Sequence, residues 1–492
     1  MNIPLKIYEI NARVWIKKFS KGQSGFAITD VPGSYWDYLK GLGFNAVWLM
    51  GIWKTNPDTI EKYCFTEPLK NNYSKALKNW KKEDIVGSPY SIDVYEISSI
   101  FGSEKHICAL REILNSKGMK LFLDFVPNHF NAESRYVYEM PEMFLQADKE
   151  IYDADIYTFY KPDKYADKHF AHGRDPFFPA WQDTIQVNFY NPAARKSLTD
   201  ILKRAAELCD GVRCDMAMLP LNNVFSNTWS GVINKMNIRR LPTEFWKEAI
   251  SDVRKEHPEF MFIAEAYWDL EWDLQQLGFD YTYDKKLLDH LRDENITGIK
   301  LHLSAEKEYR DKSLRFIENH DEERALKEFG KNRSLAAAAV ISSIPGGKLY
   351  HDGQFEGARI KLPVQLGRAP EETLVECVKD YYGRILEITK TDIFNKGEWQ
   401  IKNPIQAWAN NFSFRNFLAW EWQYKDEKRL VVINYADTTS QCRIIIEPGD
   451  YGENILFKDI LNVAEYLRSA EEVCTTGLYI ELKNFQTHIF SY

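Results

Sequence analysis

The sequence predicts an α/β fold: a (β/α)8 barrel with an insertion after its third strand, followed by an antiparallel β domain. Three observations lead there. Short apolar strands alternate with helical stretches from residue 7 to about residue 355, the pattern of a parallel sheet. Eight such strands can be counted, the number that closes a barrel of this kind. From about Phe412 the helical periodicity gives way to turn-bounded β runs, which suit an antiparallel sandwich.

The first two strands are "IYEINARVW" (7–15) and "NAVWLM" (45–50), separated by a helical stretch from Tyr35 to Leu42 that stops at Gly43. A helix ending at Gly118 delivers the third strand, "KLFLDFV" (120–126). The next three are "GVRCDMA" (211–217), "MFIAEAYW" (261–268) and "GFDYTYD" (278–284). "LRFIENHD" (314–321) and "GKLYHDG" (347–353) complete the eight, with the helical "RSLAAAAVISSI" between them. The expected division is a catalytic barrel over 1–130 and 184–405, an inserted subdomain over 131–183, and a β-sandwich domain over 406–492.

Composition narrows the class. At 492 residues, 45% hydrophobic and 27% charged, the chain can bury a sizeable core. A net charge of -8 without a Lys/Arg-rich run argues against nucleic acid or an anionic membrane as partner. The seven cysteines are scattered without a C-x-x-C pair, so neither a disulfide framework nor a zinc site is expected. "MNIPLKIYEINARVW" has no signal-peptide core and no later stretch approaches a spanning helix, so the expected location is cytoplasmic. The 14 Trp, 27 Tyr and 29 Phe are a heavy aromatic load whose flat faces also suit sugar rings.

Polar residues gather where four strands finish. The third ends "DFVPNH", with Asp124, Asn128 and His129; the fourth carries Arg213 and Asp215. The fifth ends with Glu265, and the seventh with His320 and Asp321. A barrel presents such ends on one rim. Each fragment alone has a plain structural reading: a loop glutamate, a helix cap, a buried ion pair. Together they put three carboxylates, an arginine and two histidines around one pocket. That set suits glycosidic bond cleavage, in which one carboxylate attacks the anomeric carbon and a second, protonated, assists the leaving oxygen. Negative charge nearby stabilises the oxocarbenium-like transition state. No H-x-H or H-E-x-x-H spacing favours a metal.

The same stretches resemble the short ordered motifs of the alpha-amylase superfamily of retaining alpha-glucan hydrolases and transglycosidases. "DFVPNH" is similar to the first motif, "GVRCD" to the second, "FIAEAYW" to the third and "FIENHD" to the fourth. "GSPYSIDVYEISSIFG" (87–102) resembles the tyrosine-bearing segment, and "QVNFYNP" (186–192) the motif before the fourth strand. The resemblance implies Asp215 as nucleophile, Glu265 as general acid/base and Asp321 as the third carboxylate, gripping the 2- and 3-hydroxyls. It also implies Arg213 as the group orienting Asp215, His129 and His320 as hydroxyl binders, Tyr90 as stacking platform and Asp124 as support. It further implies double displacement with retention of the alpha configuration.

The chain departs from the family in places. Met218 and Leu219 stand where many amylases carry Lys-His, which suggests an acceptor side unlike that of a starch-degrading amylase. A calcium site of some relatives uses the Asn of the first motif and the carbonyl of that histidine. Asn128 alone is present, so no cofactor is expected, and calcium stays open. "HGRDPFFPAWQDT" (172–184) is a candidate to reach the site, and the segment 351–368, with Gln354, Glu356 and Arg368, a candidate to close one side of it. Trp48, Trp53, Trp268 and Trp272 are candidates for sugar stacking, although core or rim packing is the commoner role for each taken singly.

The reading is therefore a hydrolase of alpha-glucosidic bonds in short glucans or small glucosides. A transglycosidase is the alternative, and a non-catalytic amylase-like binding subunit the remote one. The expected partner is an oligosaccharide or small-molecule alpha-glucoside.

Overall fold

The computed structural model describes residues 3–23 and 25–492. Eight parallel strands close into a barrel. They are β1 (Lys6–Asn11), β2 (Ala46–Met50), β3 (Lys120–Phe125), β4 (Gly211–Cys214), β5 (Met261–Ala264), β6 (Tyr281–Tyr283), β7 (Ser313–Arg315) and β8 (Gly347–His351). Neighbours around the ring run β1-β8-β7-β6-β5-β4-β3-β2, with β1 paired to β2 to close it. All eight expected strands are present at their expected places. All are shorter than the stretches read for them.

One strand end is corrected. Ala12–Trp15, read as the end of β1, forms a helical turn instead. The turn carries Arg13 out of the barrel wall to three backbone carbonyls: Val86 at 3.2 Å, and Gly87 and Val364 at 2.7 Å each.

Every residue of β2 and β8 is buried, as expected of strands covered on both faces. The helix that follows each strand supplies the outer cover: α1 (Gly33–Gly41), α2 (Glu104–Ser116), α3 (Pro192–Leu208), α4 (Phe245–Glu256), α5 (Glu271–Gln276), α6 (Lys285–Arg292), α7 (Gly330–Ser343) and α8 (Glu376–Thr389). The chain leaves α1 and α2 through Gly43 and Gly118, at φ 88° and 66°, a backbone region that favours glycine. Trp246 of α4 shows how a helix locks to the rim. Its ring packs edge-on against Phe125 and Phe279, and its Nε1 donates to the Ala217 carbonyl at 2.6 Å.

Between β3 and the start of α3 the chain makes short strands, among them His129–Asn131 paired with Thr184–Gln186. The C-terminal strands are β9 (Glu398–Ile401), β10 (Phe417–Tyr424), β11 (Glu427–Asn434), β12 (Ser440–Ile444), β13 (Asn454–Asp459), β14 (Ala464–Ser469), β15 (Leu478–Leu482) and β16 (Thr487–Ser491). They form a six-stranded sheet, β9-β10-β11-β16-β13-β14, and a pair, β12-β15, around a second hydrophobic core. Trp422 Nε1 ties this unit to α7 by donating to the Ser343 carbonyl at 2.6 Å. Among the described residues no helix is long and apolar enough to cross a membrane.

Gly211 opens β4 with no room for a side chain. An added Cβ would lie 2.7 Å from the Met261 carbonyl oxygen and 2.9 Å or less from the edge of the Phe122 ring. Gly211→Ala is expected to destabilise the chain by about 1–3 kcal/mol, through overpacking. A urea midpoint equal to that of the parent would refute this.

Candidate active site

The site is built around Arg213, fully buried on β4. Its Nη1 donates to Asp215 Oδ1 at 2.6 Å, and its Nη2 lies 2.9 Å from Glu265 Oε2, outside hydrogen-bond geometry and without another partner. Asp124 Oδ1 stands 3.9 Å from Nη1. Nε donates to the Tyr283 hydroxyl at 3.2 Å, and the rings of Trp48, Tyr90 and Tyr283 surround the guanidinium at 5.2–5.6 Å. An unpaired guanidinium would be costly here; this one is matched by carboxylates and aromatic faces.

The two flanking carboxylates differ in setting. Asp215 follows directly on β4, and its backbone N–H donates to the Phe125 carbonyl at 2.8 Å. Glu265 follows β5, accepts the Met216 N–H on Oε2 at 2.6 Å and the Tyr267 hydroxyl on Oε1 at 2.8 Å, and is 3% exposed. Burial pushes the Glu265 carboxyl up to about 7. Arg213 opposes the rise, while Asp215 and Asp321 add to it. The chain reaches this point through a strained turn, with Met216 at φ 41°.

Asp321 differs again, with a side chain half exposed at the mouth. Its surroundings raise the carboxyl, but His320, with Arg213 and Lys361, outweighs them and holds it well below the usual carboxylate range. His320 Nε2 lies 2.9 Å from Asp321 Oδ2 and 2.6 Å from the Tyr90 hydroxyl, and Nδ1 lies 2.5 Å from Glu9 Oε1. Burial opposes protonation of His320, yet the Asp321 and Glu9 carboxylates raise it to about 10, so it is a cation at neutral pH. Tyr90 is half-buried and stacks on His320 at 5.3 Å and 19°.

Asp124 and His129 complete the expected set. Asp124 accepts Trp48 Nε1 at 3.2 Å and the Gly51 N–H at 3.1 Å; burial pushes its carboxyl up to about 7 against Arg213. His129 is 5% exposed, and burial lowers its basicity. The Trp181 ring sits 5.1 Å from it, so the 172–184 segment does reach the site. All eight expected residues thus converge on one rim.

Several of the singled-out residues are core residues. Met218 and Leu219 are 0% and 2% exposed and pack into the core, so they do not form an acceptor surface. Trp48 and Trp53 are buried, with their indole N–H groups spent on Asp124, and only Trp268 and Trp272 are exposed. Gln354 is also buried, holding the His351 N–H and the Tyr382 hydroxyl.

Glu9, Tyr267 and Tyr283 belong to the site and were missed. Glu9 had a readable signal, a carboxylate inside the apolar run "IYEIN", as had Tyr283 in the sixth strand. Tyr267 had only its place two residues past Glu265.

Calcium does not fit the one candidate ligand. Asn128 Oδ1 and its carbonyl accept Gln186 Nε2 at 2.9 and 3.1 Å, and the carbonyl also accepts the Val187 N–H at 2.9 Å. These oxygens face N–H donors, whereas calcium requires a cage of oxygens. Among the described residues no group of three or more His, Cys, Asp or Glu side chains is placed to hold a metal.

The family model of the alpha-amylase catalytic domain matches residues 28–359. The alpha-amylase MalA of Haloarcula japonica is 26% identical over 386 residues, 76% of this chain. The present chain spans about half the length of that protein, with 47% of it matched. Alpha-amylase 3 of Dictyoglomus thermophilum is 22% identical over 500 residues, covering 93% of this chain and 88% of that one. Among solved structures, the noncanonic maltogenic alpha-amylase AmyB of Thermotoga neapolitana shares the fold at a TM-score of 0.68. It is 19% identical, with 99% of this chain and 98% of that one covered.

The His320 cation adds stability that is fully present below its unfolded pKa of about 6.5 and lost as pH rises through about 10. Glu9→Gln removes one of the two carboxylates behind that rise. His320 is expected to titrate at lower pH in Glu9→Gln than in the parent, as read by imidazole NMR, with the loss of stability starting correspondingly earlier. An unchanged titration would show that Asp321 alone sets it.

Proposed function

Because the chain belongs to the alpha-amylase family, we propose that it cleaves alpha-glucosidic bonds of short alpha-glucans by double displacement. The observation that carries this reading is the single Arg213 guanidinium facing both Asp215 and Glu265. It holds one carboxylate ready to attack and keeps the other close by.

In the first step an Asp215 oxygen forms a bond to the anomeric carbon while the bond to the leaving oxygen breaks. Glu265, with its carboxyl at about 7, gives that oxygen its proton. Asp321, kept charged by His320, accepts hydrogen bonds from the ring hydroxyls and faces the developing positive charge. Tyr90 lies under the ring, and His129 and His320 are within reach of its hydroxyls. In the second step Glu265 takes a proton from water, whose oxygen displaces Asp215. Two inversions leave the alpha configuration retained. Asp124 supports Arg213 without touching the substrate.

One observation favours transfer to a sugar as a second reading. Phe177 and Trp268, both exposed, meet edge to face at 5.0 Å, and Trp268 lies three residues past Glu265, on the leaving-group side. An apolar face there suits a sugar ring, which can then compete with water. Product analysis on maltooligosaccharides with and without added acceptor separates the two.

Asp215→Asn and Glu265→Gln are each expected to cost at least about 1,000-fold in kcat, and in Glu265→Gln an alpha-fluoride donor is expected to leave its glycosyl group trapped on Asp215. Near-parent turnover in either variant, or labelling elsewhere, would reject these roles. Since Glu265 must carry its proton, kcat/KM is expected to fall as pH rises through about 7. A rate that stays flat to pH 9 would assign the acid to another group.

A further inference from the structure

The two oxygens of Glu265 stand in different surroundings. Oε2 accepts the Met216 N–H at 2.6 Å and lies 2.9 Å from Arg213 Nη2. Oε1 instead meets the Tyr267 hydroxyl at 2.8 Å. A backbone N–H and a guanidinium both favour negative charge on the oxygen they face. When the carboxyl is neutral, its proton therefore belongs on Oε1, and a group that shares a hydrogen bond with Oε1 governs how that proton leaves.

Tyr267 is that group. It lies two residues past Glu265, beyond the end of β5, and is partly buried. Burial, with the carboxylates of Glu265 and Asp321 beside it, pushes its hydroxyl well above the usual tyrosine range, so it stays a neutral O–H. Glu265 is faced besides by Asp215 after β4 and Asp321 after β7, with Tyr283 of β6 behind Arg213.

The backbone holds Tyr267 in place at some cost. Trp268 and Asp269 follow it at φ 64° and 61°, two successive non-glycine residues in the left-handed region. Such strain persists only where the surroundings over-determine it. Here the Leu270 N–H donates to the Tyr267 carbonyl at 3.3 Å, and Lys286 Nζ of α6 donates to Asp269 Oδ1 at 2.6 Å. Met216, whose N–H fixes Oε2, is itself at φ 41°. Each Glu265 oxygen is thus met by a residue that belongs to a strained turn or adjoins one.

We propose that Glu265 delivers its proton from Oε1 and that Tyr267 is the positioning residue for that delivery. This rests on the function proposed above, in which Glu265 is the acid. As the bond between Oε1 and hydrogen breaks, the proton passes to the leaving oxygen, which keeps the electron pair of its bond to the anomeric carbon. The pair left on Oε1 adds negative charge there, and the hydrogen bond donated by Tyr267 strengthens as that charge grows. In the second step Oε1 takes a proton from water and the hydrogen bond weakens again. Tyr267 gives up no proton itself and acts through Glu265.

The test uses Tyr267→Phe in the full chain, which removes the hydroxyl and keeps the ring. Loss of a hydrogen bond that favours the carboxylate raises Glu265, so the fall of kcat/KM with pH is expected to begin above the parent's value of about 7. On maltotriose, whose leaving sugar needs a proton, kcat/KM is expected to drop about tenfold or more, as loss of one hydrogen bond to a charged group does. On α-maltosyl fluoride, whose leaving group needs little acid assistance, it is expected to change by less than about threefold. Replacing Tyr267 by 3-fluorotyrosine, a stronger donor of nearly the same shape, is expected to move the fall to lower pH. Equal losses on the two substrates, or a fall that stays in place in both variants, overturns the role of Tyr267. Glu265→Gln is the reference, expected to show the same split between substrates on a larger scale. If Glu265→Gln cleaves maltotriose as the parent does, the acid assignment fails and the role of Tyr267 with it. A parent that cleaves neither compound overturns the glycosidase reading itself.

Discussion

The buried Arg213 guanidinium is the constraint on which the rest of the site depends. A cation with no solvent exposure needs compensating charge, and three strands supply it: Asp124 from β3, Asp215 after β4 and Glu265 after β5. The requirement is reciprocal, because none of these carboxylates has another cation as close. Removing one side of such a cluster leaves buried charge uncompensated, at a cost of about 3–5 kcal/mol. The arrangement also separates the carboxyls chemically. Desolvation dominates at Glu265, whereas the half-exposed Asp321 is governed by the His320 cation.

A second buried pair closes the ring on the far side. His320 after β7 reaches Glu9 on β1, across the place where β8 stands between those strands. The same imidazole contacts Tyr90 and Asp321, so one group joins the barrel's first strand, its seventh strand and the tyrosine loop. The segment after β8 repeats this logic with backbone groups, using Arg13, Lys17 and Arg368 to fasten one loop to another. Both devices fix geometry around the space where a sugar would lie, and both draw on residues hundreds of positions apart.

Much of this was legible because the signals were local. Apolar runs with polar ends located the eight strands, and charged residues inside such runs marked Arg213 and Asp215. Glu9 carried the same signal within "IYEIN" and was passed over, since no motif drew attention to it. β13 and β14 carry a weak sequence signal for a different reason. Their burial alternates, and Leu456 and Leu467 face solvent, so neither stretch shows a continuous apolar run. Sequence position shows that Met218 and Leu219 come soon after Asp215, but not that the chain turns at Met216 and buries what comes next.

The sequence by itself determined the barrel, the order of the rim residues and the chemistry available to them, because strand period and residue type are properties of short stretches. Tertiary structure alone decided which carboxyls are pushed up and which is held low, and which imidazole is charged. Those states depend on burial and on charges brought close through space. It decided likewise that the segment after β8 is bridged to the loop after β2 while exposed aromatic rings edge the mouth. Both depend on loops meeting across the barrel, a distance that no local pattern encodes.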